Sequence, residues 1–152
     1  MSNNTSFIGR AILNKNMIII TIQRYLNLQN DDVALRQLTG LKKQEFETLH
    51  SFFENEWKNY FSQFTLEGAP RLRQTSLRRN NIFTDNRDAL LFGLIYLKGD
   101  ILQEQLAAFF TIDQPKASKY LSLVKRLLQS ILSKHAQVLP KSKRLRILKA
   151  LR

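Results

Sequence analysis

Cysteine is absent from the 152 residues. Its absence excludes a disulfide framework, a thiol nucleophile and every zinc site that needs a thiolate, and a chain without oxidative staples suits a reducing cytoplasm. Histidine is scarce: His50 and His135 are the only two and cannot form a metal cluster alone. Long apolar runs are missing too. The strongest, Met17-Ile18-Ile19-Ile20-Thr21-Ile22, follows Arg10 and Lys15 as the core of a signal peptide would. It then breaks at Gln23 and Arg24, no small-residue cleavage site follows, and about 18 apolar residues are needed to span a bilayer. A cytoplasmic protein with no membrane partner is expected. The last quarter lacks acid altogether. From Met1 to Asp113 there are 13 basic and 12 acidic residues, whereas Gln114 to Arg152 holds 11 basic residues and no acid.

Nearly all of the net charge of +12 therefore lies in one stretch. A segregated basic surface attracts a polyanion, either a phosphate backbone or an anionic membrane. Apolar residues make up 43% of the chain, enough for a core. The length suits one domain with appendages, or a piece of a longer protein. No internal repeat or low-complexity tract occurs. Residues 1–16 are polar and aperiodic and read as a disordered leader, with Met17 an alternative start.

Few runs read as strand, so the expected fold is all-α: a small helical domain with a helix-turn-helix and a basic C-terminal helix. Residues 17–28 suit a short helix or a strand, because β-branched isoleucines favour neither decisively. They belong to an N-terminal segment, 17–37. From Lys42 to Phe64, Phe46, Leu49, Phe53, Trp57, Tyr60 or Phe61, and Phe64 recur at helical spacing and mark a long helix. It ends before Gly68-Ala69-Pro70, and the following basic, acid-free loop contains Arg71, Arg73, Arg78 and Arg79. Thr84 is the expected cap of the next helix, with Asp85 and Asp88 in its first turn and an apolar stripe of Leu90, Leu91, Leu94, Ile95 and Leu97. Lys98-Gly99-Asp100 ends that helix, and a shorter one runs from Ile101 to about Phe110. Pro115 then fits the first turn of a helix reaching Lys134. Ser142 to Leu151 forms the last.

Residues 103–122 match what a helix-turn-helix needs. Leu106 and Phe110 face inward from the first helix, Ala107 makes the small contact, Ile112 plugs the turn, and Ala117 and Tyr120 face inward from the second. Gln114, Lys116, Ser118 and Lys119 lie near the N-terminus of the second helix, the end that a recognition helix inserts into the major groove. Glutamine can pair bidentately with an adenine edge, lysine can bond guanine or phosphate, and serine either. With the basic tail, this points to double-stranded DNA. Lys125 and the four loop arginines join these residues as candidate contacts, the loop acting as an arm to phosphates or the minor groove.

Leu38-Thr39-Gly40-Leu41, Phe46, Gly68-Ala69-Pro70-Arg71, Asp88 to Lys98, and Gln105-Leu106-Ala107-Ala108-Phe109-Phe110 with the helix after it resemble the N-terminal region of bacterial insertion-sequence transposases with a DDE catalytic domain. The resemblance spans about residues 38–140 and implies a helix-turn-helix DNA-binding domain there, with the reading head at 101–134, that recognises terminal inverted repeats. Thr111 stands where the family often has glycine, and Lys42 where it often has a capping serine. Family members continue past Leu139-Pro140 into a ribonuclease-H-like domain whose carboxylates hold two metals. Here the last acid is Asp113, so residues 141–152 read as a basic helix or a junction to a missing catalytic domain.

Asp85, Asp88, Asp100 and Glu104 read as caps rather than a metal site. No catalytic residue, cofactor or metal is assigned. A catalytic subunit from a second reading frame is the implied partner, unless the chain is a truncated relic, and a homo-oligomer is a further expectation. Two other readings compete. In one, the aromatic helix from Lys42 to Phe64 pairs with a protein and the basic tail docks or solubilises; in the other, the same reading head serves a transcription regulator.

Overall fold

Asn86 to Lys98 reads N-R-D-A-L-L-F-G-L-I-Y-L-K, apolar around most of its girth, and a helix of that kind is stable only when covered on all sides. In the computed structural model, which describes residues 25–72, 82–83 and 85–152, this helix is central. The elements in chain order are α1 (Tyr25–Leu28), α2 (Asp32–Thr39), α3 (Lys43–Gln63), α4 (Asn86–Lys98), α5 (Gln103–Phe109), α6 (Gln114–Lys134) and α7 (Lys141–Leu151). The fold is all-α, and among the described residues the only β-type pairing is the isolated bridge between Phe64 and Pro70. The central helix α4 packs against every other helix among the described residues. Its expected stripe is in fact a buried cylinder, with Phe92 and Gly93 enclosed as well as the leucines.

Gly93 sets the distance between α4 and α6. A Cβ there would lie 2.3 Å from Val124 Cγ1, so only a residue without a side chain lets the two backbones approach this closely. Around the contact, Phe83, Phe92, Phe110, Trp57 and Tyr120 form one aromatic cluster, with Trp57 stacked on Tyr120 at 6.2 Å and Phe83 edge-on to Tyr120 at 4.9 Å. The aromatic face of α3 is therefore core: Phe46, Phe53, Trp57 and Phe61 are all buried.

Helix ends follow local chemistry. Asp85, not Thr84, caps α4 by accepting the Arg87 N–H at 2.9 Å; Thr84 lies outside the described residues. Asp88, still in the first turn, is buried and accepts the Tyr25 N–H at 2.6 Å. Lys42 cannot accept a hydrogen bond, so α3 has only half a capping box: the Lys42 N–H donates to Glu45 Oε1 at 2.8 Å. The shorter helix starts at Gln103 rather than Ile101, because the Leu102 N–H is taken by Gln105 Oε1.

The N-terminal part holds a helix that the sequence reading passed over. Asp31 caps α2 through the Ala34 N–H, Gly40 ends it in the left-handed region (φ +77°), and Ala34, Leu35 and Leu38 join the core. Residue 38, the start assigned to the DNA-binding domain, lies inside α2. Of residues 17–28, Tyr25–Leu28 is a single helical turn and the rest lie outside the described residues, as does the leader. Tyr25 is fully buried, stacked on Phe46 at 4.7 Å, and its hydroxyl donates to Glu47. Burial and the Glu47 carboxylate together push its pKa well up.

At the other end, α7 docks through Ile147 and two cations. Lys143 Nζ reaches Glu45 Oε1 at 2.5 Å, and Arg146 Nη2 donates to the Thr39 carbonyl at 3.0 Å. The Arg146 guanidinium fills the space over Gly40 that a Cβ would need. Burial pushes the Glu45 carboxyl up, but the bonds from Lys143 and the Lys42 N–H outweigh it and leave the pKa below the usual range. No helix among the described residues is long and apolar enough to cross a membrane.

Gly93→Ala tests the central contact. It should destabilise the fold by about 1–3 kcal/mol through overpacking, despite a helix-propensity gain of about 1 kcal/mol. Adding Val124→Ala should recover part of the loss. Urea unfolding of the three proteins checks this, and an unchanged midpoint in Gly93→Ala would contradict the close approach.

Candidate nucleic-acid interface

The turn before α6 fixes the angle at which the outer face of that helix is held. α5 ends in a Schellman motif: the Ile112 N–H bonds the Ala107 carbonyl at 3.0 Å and the Thr111 N–H bonds the Ala108 carbonyl at 3.1 Å. This motif requires a left-handed residue at the position of Thr111, whose φ is +58°. The threonine thus adopts the conformation glycine would have taken. Asp113 then caps α6 by accepting the Lys116 N–H at 2.8 Å, with Pro115 in the first turn. Leu106, Ala107, Phe110, Ala117 and Tyr120 are buried and Ile112 is partly so, as the spacing predicts. Burial above all pushes the Tyr120 hydroxyl pKa up.

With its apolar face seated from Ala117 to Leu132, α6 turns a polar, acid-free face outward. Gln114, Ser118 and Lys119 are exposed, and Lys116 and Lys125 are half-buried. Lys125 Nζ lies 5.6 Å from the centre of the Tyr96 ring, which places it to the side of the helix. The same outward row continues through Ser122 and Arg126, both exposed, and the Arg126 guanidinium sits 5.4 Å over Tyr60.

The sequence reading missed these last two residues, although positions 118, 122 and 126 recur every four residues and share a helix face. It also missed Glu67, for which no local signal exists. Glu67 comes from a tight turn after α3, closed by the Phe64–Pro70 bridge, the Thr65 N–H to Ala69 carbonyl bond at 2.8 Å, and Gly68 at φ +90°. Its carboxylate pairs with Lys119 Nζ at 3.2 Å. That bond, aided by the backbone and by Lys116, holds the Glu67 carboxyl below the usual range.

Arg71 belongs to this turn. Its N–H donates to the Gln63 carbonyl at 2.9 Å and its Nε to the Phe64 carbonyl at 3.0 Å, so the side chain braces the loop. Arg73, Arg78 and Arg79 lie outside the described residues. The basic residues of α7 are divided: Lys143 and Arg146 dock the helix, while Lys141 and Lys149 are exposed. His50 Nε2 meets Asn86 Oδ1 at 2.6 Å, and His135 packs on Phe52. Asp85, Asp88 and Asp100 serve separately as a cap, a buried acceptor and the partner of Lys98, and Glu104 lies in the first turn of α5. No group of three or more His, Asp or Glu among the described residues is placed to hold a metal ion.

No family model, no curated protein and no solved structure matches the chain. A functional reading therefore rests on these residues and their placement.

The turn generates a test. A left-handed β-branched residue costs about 1–2 kcal/mol, against about 0.5–1 kcal/mol of extra chain entropy for glycine. Thr111→Gly should raise stability by about 0.5–1 kcal/mol in denaturant titration. A destabilised variant would mean that the threonine side chain supports the turn.

Proposed function

We propose that this chain binds double-stranded DNA sequence-specifically, with the N-terminal part of α6 in the major groove. The observation that supports it best is the outer face of α6: Gln114, Ser118 and Lys119 stand exposed at the front of a helix that carries five basic residues and no acid. Glutamine there suits an adenine edge, and the lysines suit phosphates or guanine. α6 projects from a rigid apolar seat, as a reading helix must.

In the wider reading, the chain is the DNA-recognition part of a transposase and recognises the terminal inverted repeats of its element, in the cytoplasm. That part rests on the resemblance of residues 38–140. In that reading the catalytic carboxylates lie outside residues 38–140, and the protein works as a homo-oligomer. A transcription regulator would make the same contacts, and flanking inverted repeats with an overlapping frame at the gene's locus discriminate in favour of the mobile element. The protein-interaction reading needs an aromatic surface on α3, and burial of Phe53, Trp57 and Phe61 leaves it little.

Fluorescence anisotropy with duplex from the ends of the chain's own locus, and with a scrambled duplex, tests the proposal across a salt series. The locus ends should bind more tightly, and Gln114→Ala should cost about 1–3 kcal/mol on them while sparing the scrambled duplex. Lys119→Ala should weaken both alike and reduce the salt slope by about 0.9. Equal affinity for the two duplexes at every salt concentration would reject sequence-specific recognition.

A further inference from the structure

Between the turn after α3 and the outer face of α6 lies an open cleft of about 480 Å³. Its floor is a row of hydrogen-bond donors one helical turn apart, Ser118, Ser122 and Arg126, with Lys119 beside them. Its other wall is Glu67 and Gly68, and the space over Gly68 is open: a Cβ there would meet nothing nearer than the Tyr60 hydroxyl at 3.9 Å. Two hydroxyls, an ammonium and a guanidinium make a lining suited to a tetrahedral anion. Stacking over Tyr60 holds Arg126 at one edge instead of leaving it free in solvent.

The carboxylate already there is informative. Glu67 is the sole acid lining the cleft, and it reaches across to Lys119 Nζ at 3.2 Å. Both side chains are about half exposed, at 57% and 49%, so the pair is weak and an incoming anion can displace it.

We propose that this cleft receives a backbone phosphate of the bound duplex, held by Lys119, Ser122 and Arg126, and that the Glu67 carboxylate occupies its place until DNA arrives. The site rests on the DNA-binding reading and extends it. It places a phosphate two turns along α6 from Gln114, so the front of the helix reads bases while its middle fixes the register on the backbone. Glu67 is then a positioning residue. It keeps Lys119 extended across the cleft and lowers affinity for all duplexes equally.

Four variants test the site by anisotropy on the locus-end and scrambled duplexes across a salt series, with thermal unfolding to confirm folding. Glu67→Gln should tighten both duplexes alike, by up to about five-fold, the strength of one exposed ion pair, and steepen the salt slope. Arg126→Gln should weaken both and flatten the slope by about 0.9. Ser122→Glu, at an exposed helix position, adds a carboxylate to the cleft without removing a core contact and should weaken both. Asp32→Asn removes one charge beside the N-terminus of α3, a helix roughly 30 Å long, and should leave binding as in the wild type. If the wild type binds duplex and Glu67→Gln, Arg126→Gln and Ser122→Glu all behave like Asp32→Asn, the phosphate site is wrong and the reading helix stands. A wild type that binds no duplex overturns both.

Discussion

The close approach of α4 and α6 at Gly93 and Val124 is the constraint on which the other contacts depend. α4 is enclosed by the other described helices, so each packs at a distance and angle set by what α4 offers. Where it offers no side chain, α6 settles deeply, and Tyr120 slots between Trp57 and Phe83. Ser118, Ser122 and Arg126, each two positions from Tyr120 or Val124, then point outward. The polar face of α6 is thus a consequence of core packing, and its rigidity comes from the same source.

Charge and fold divide the basic C-terminal quarter between two tasks. Lys143 and Arg146 meet Glu45 and the Thr39 carbonyl, fastening α7 to the junction of α2 and α3. Among the described residues, the one acid paired with the exposed charge on α6 is Glu67, brought in from a turn 52 residues away. A polyanion approaching α6 meets hydroxyls, an amide and cations on a fixed framework, an arrangement suited to positioning by phosphates and reading by base edges.

Strong periodicity was legible in the sequence, and so were clear stop signals. The helical recurrence from Phe46 to Phe61 placed α3 within a residue at each end, and Pro115 in the first turn and an end near Lys134 agree with α6 as found. Helix α2 escaped because its eight residues, with Val33, Ala34, Leu35 and Leu38 as the apolar ones, are too few to establish a helical period, although Asp31 and Gly40 bracket it with a cap and a left-handed stop. Asp85 displaced Thr84 as the cap because two adjacent capping residues compete and local sequence cannot rank them. The Ser122 and Arg126 part of the candidate site was readable from spacing alone. Glu67 was not, since only the tertiary fold brings its turn to Lys119.

The claim that α6 is the DNA-contacting surface is tested most directly by nuclear magnetic resonance, titrating duplex from the locus ends into isotope-labelled protein and following backbone amides. The account predicts that the largest shifts run from Gln114 to Arg126 and include Glu67 and Gly68, with little change along the buried face of α3. Shifts centred on α7 or α2, with α6 unmoved, would contradict it.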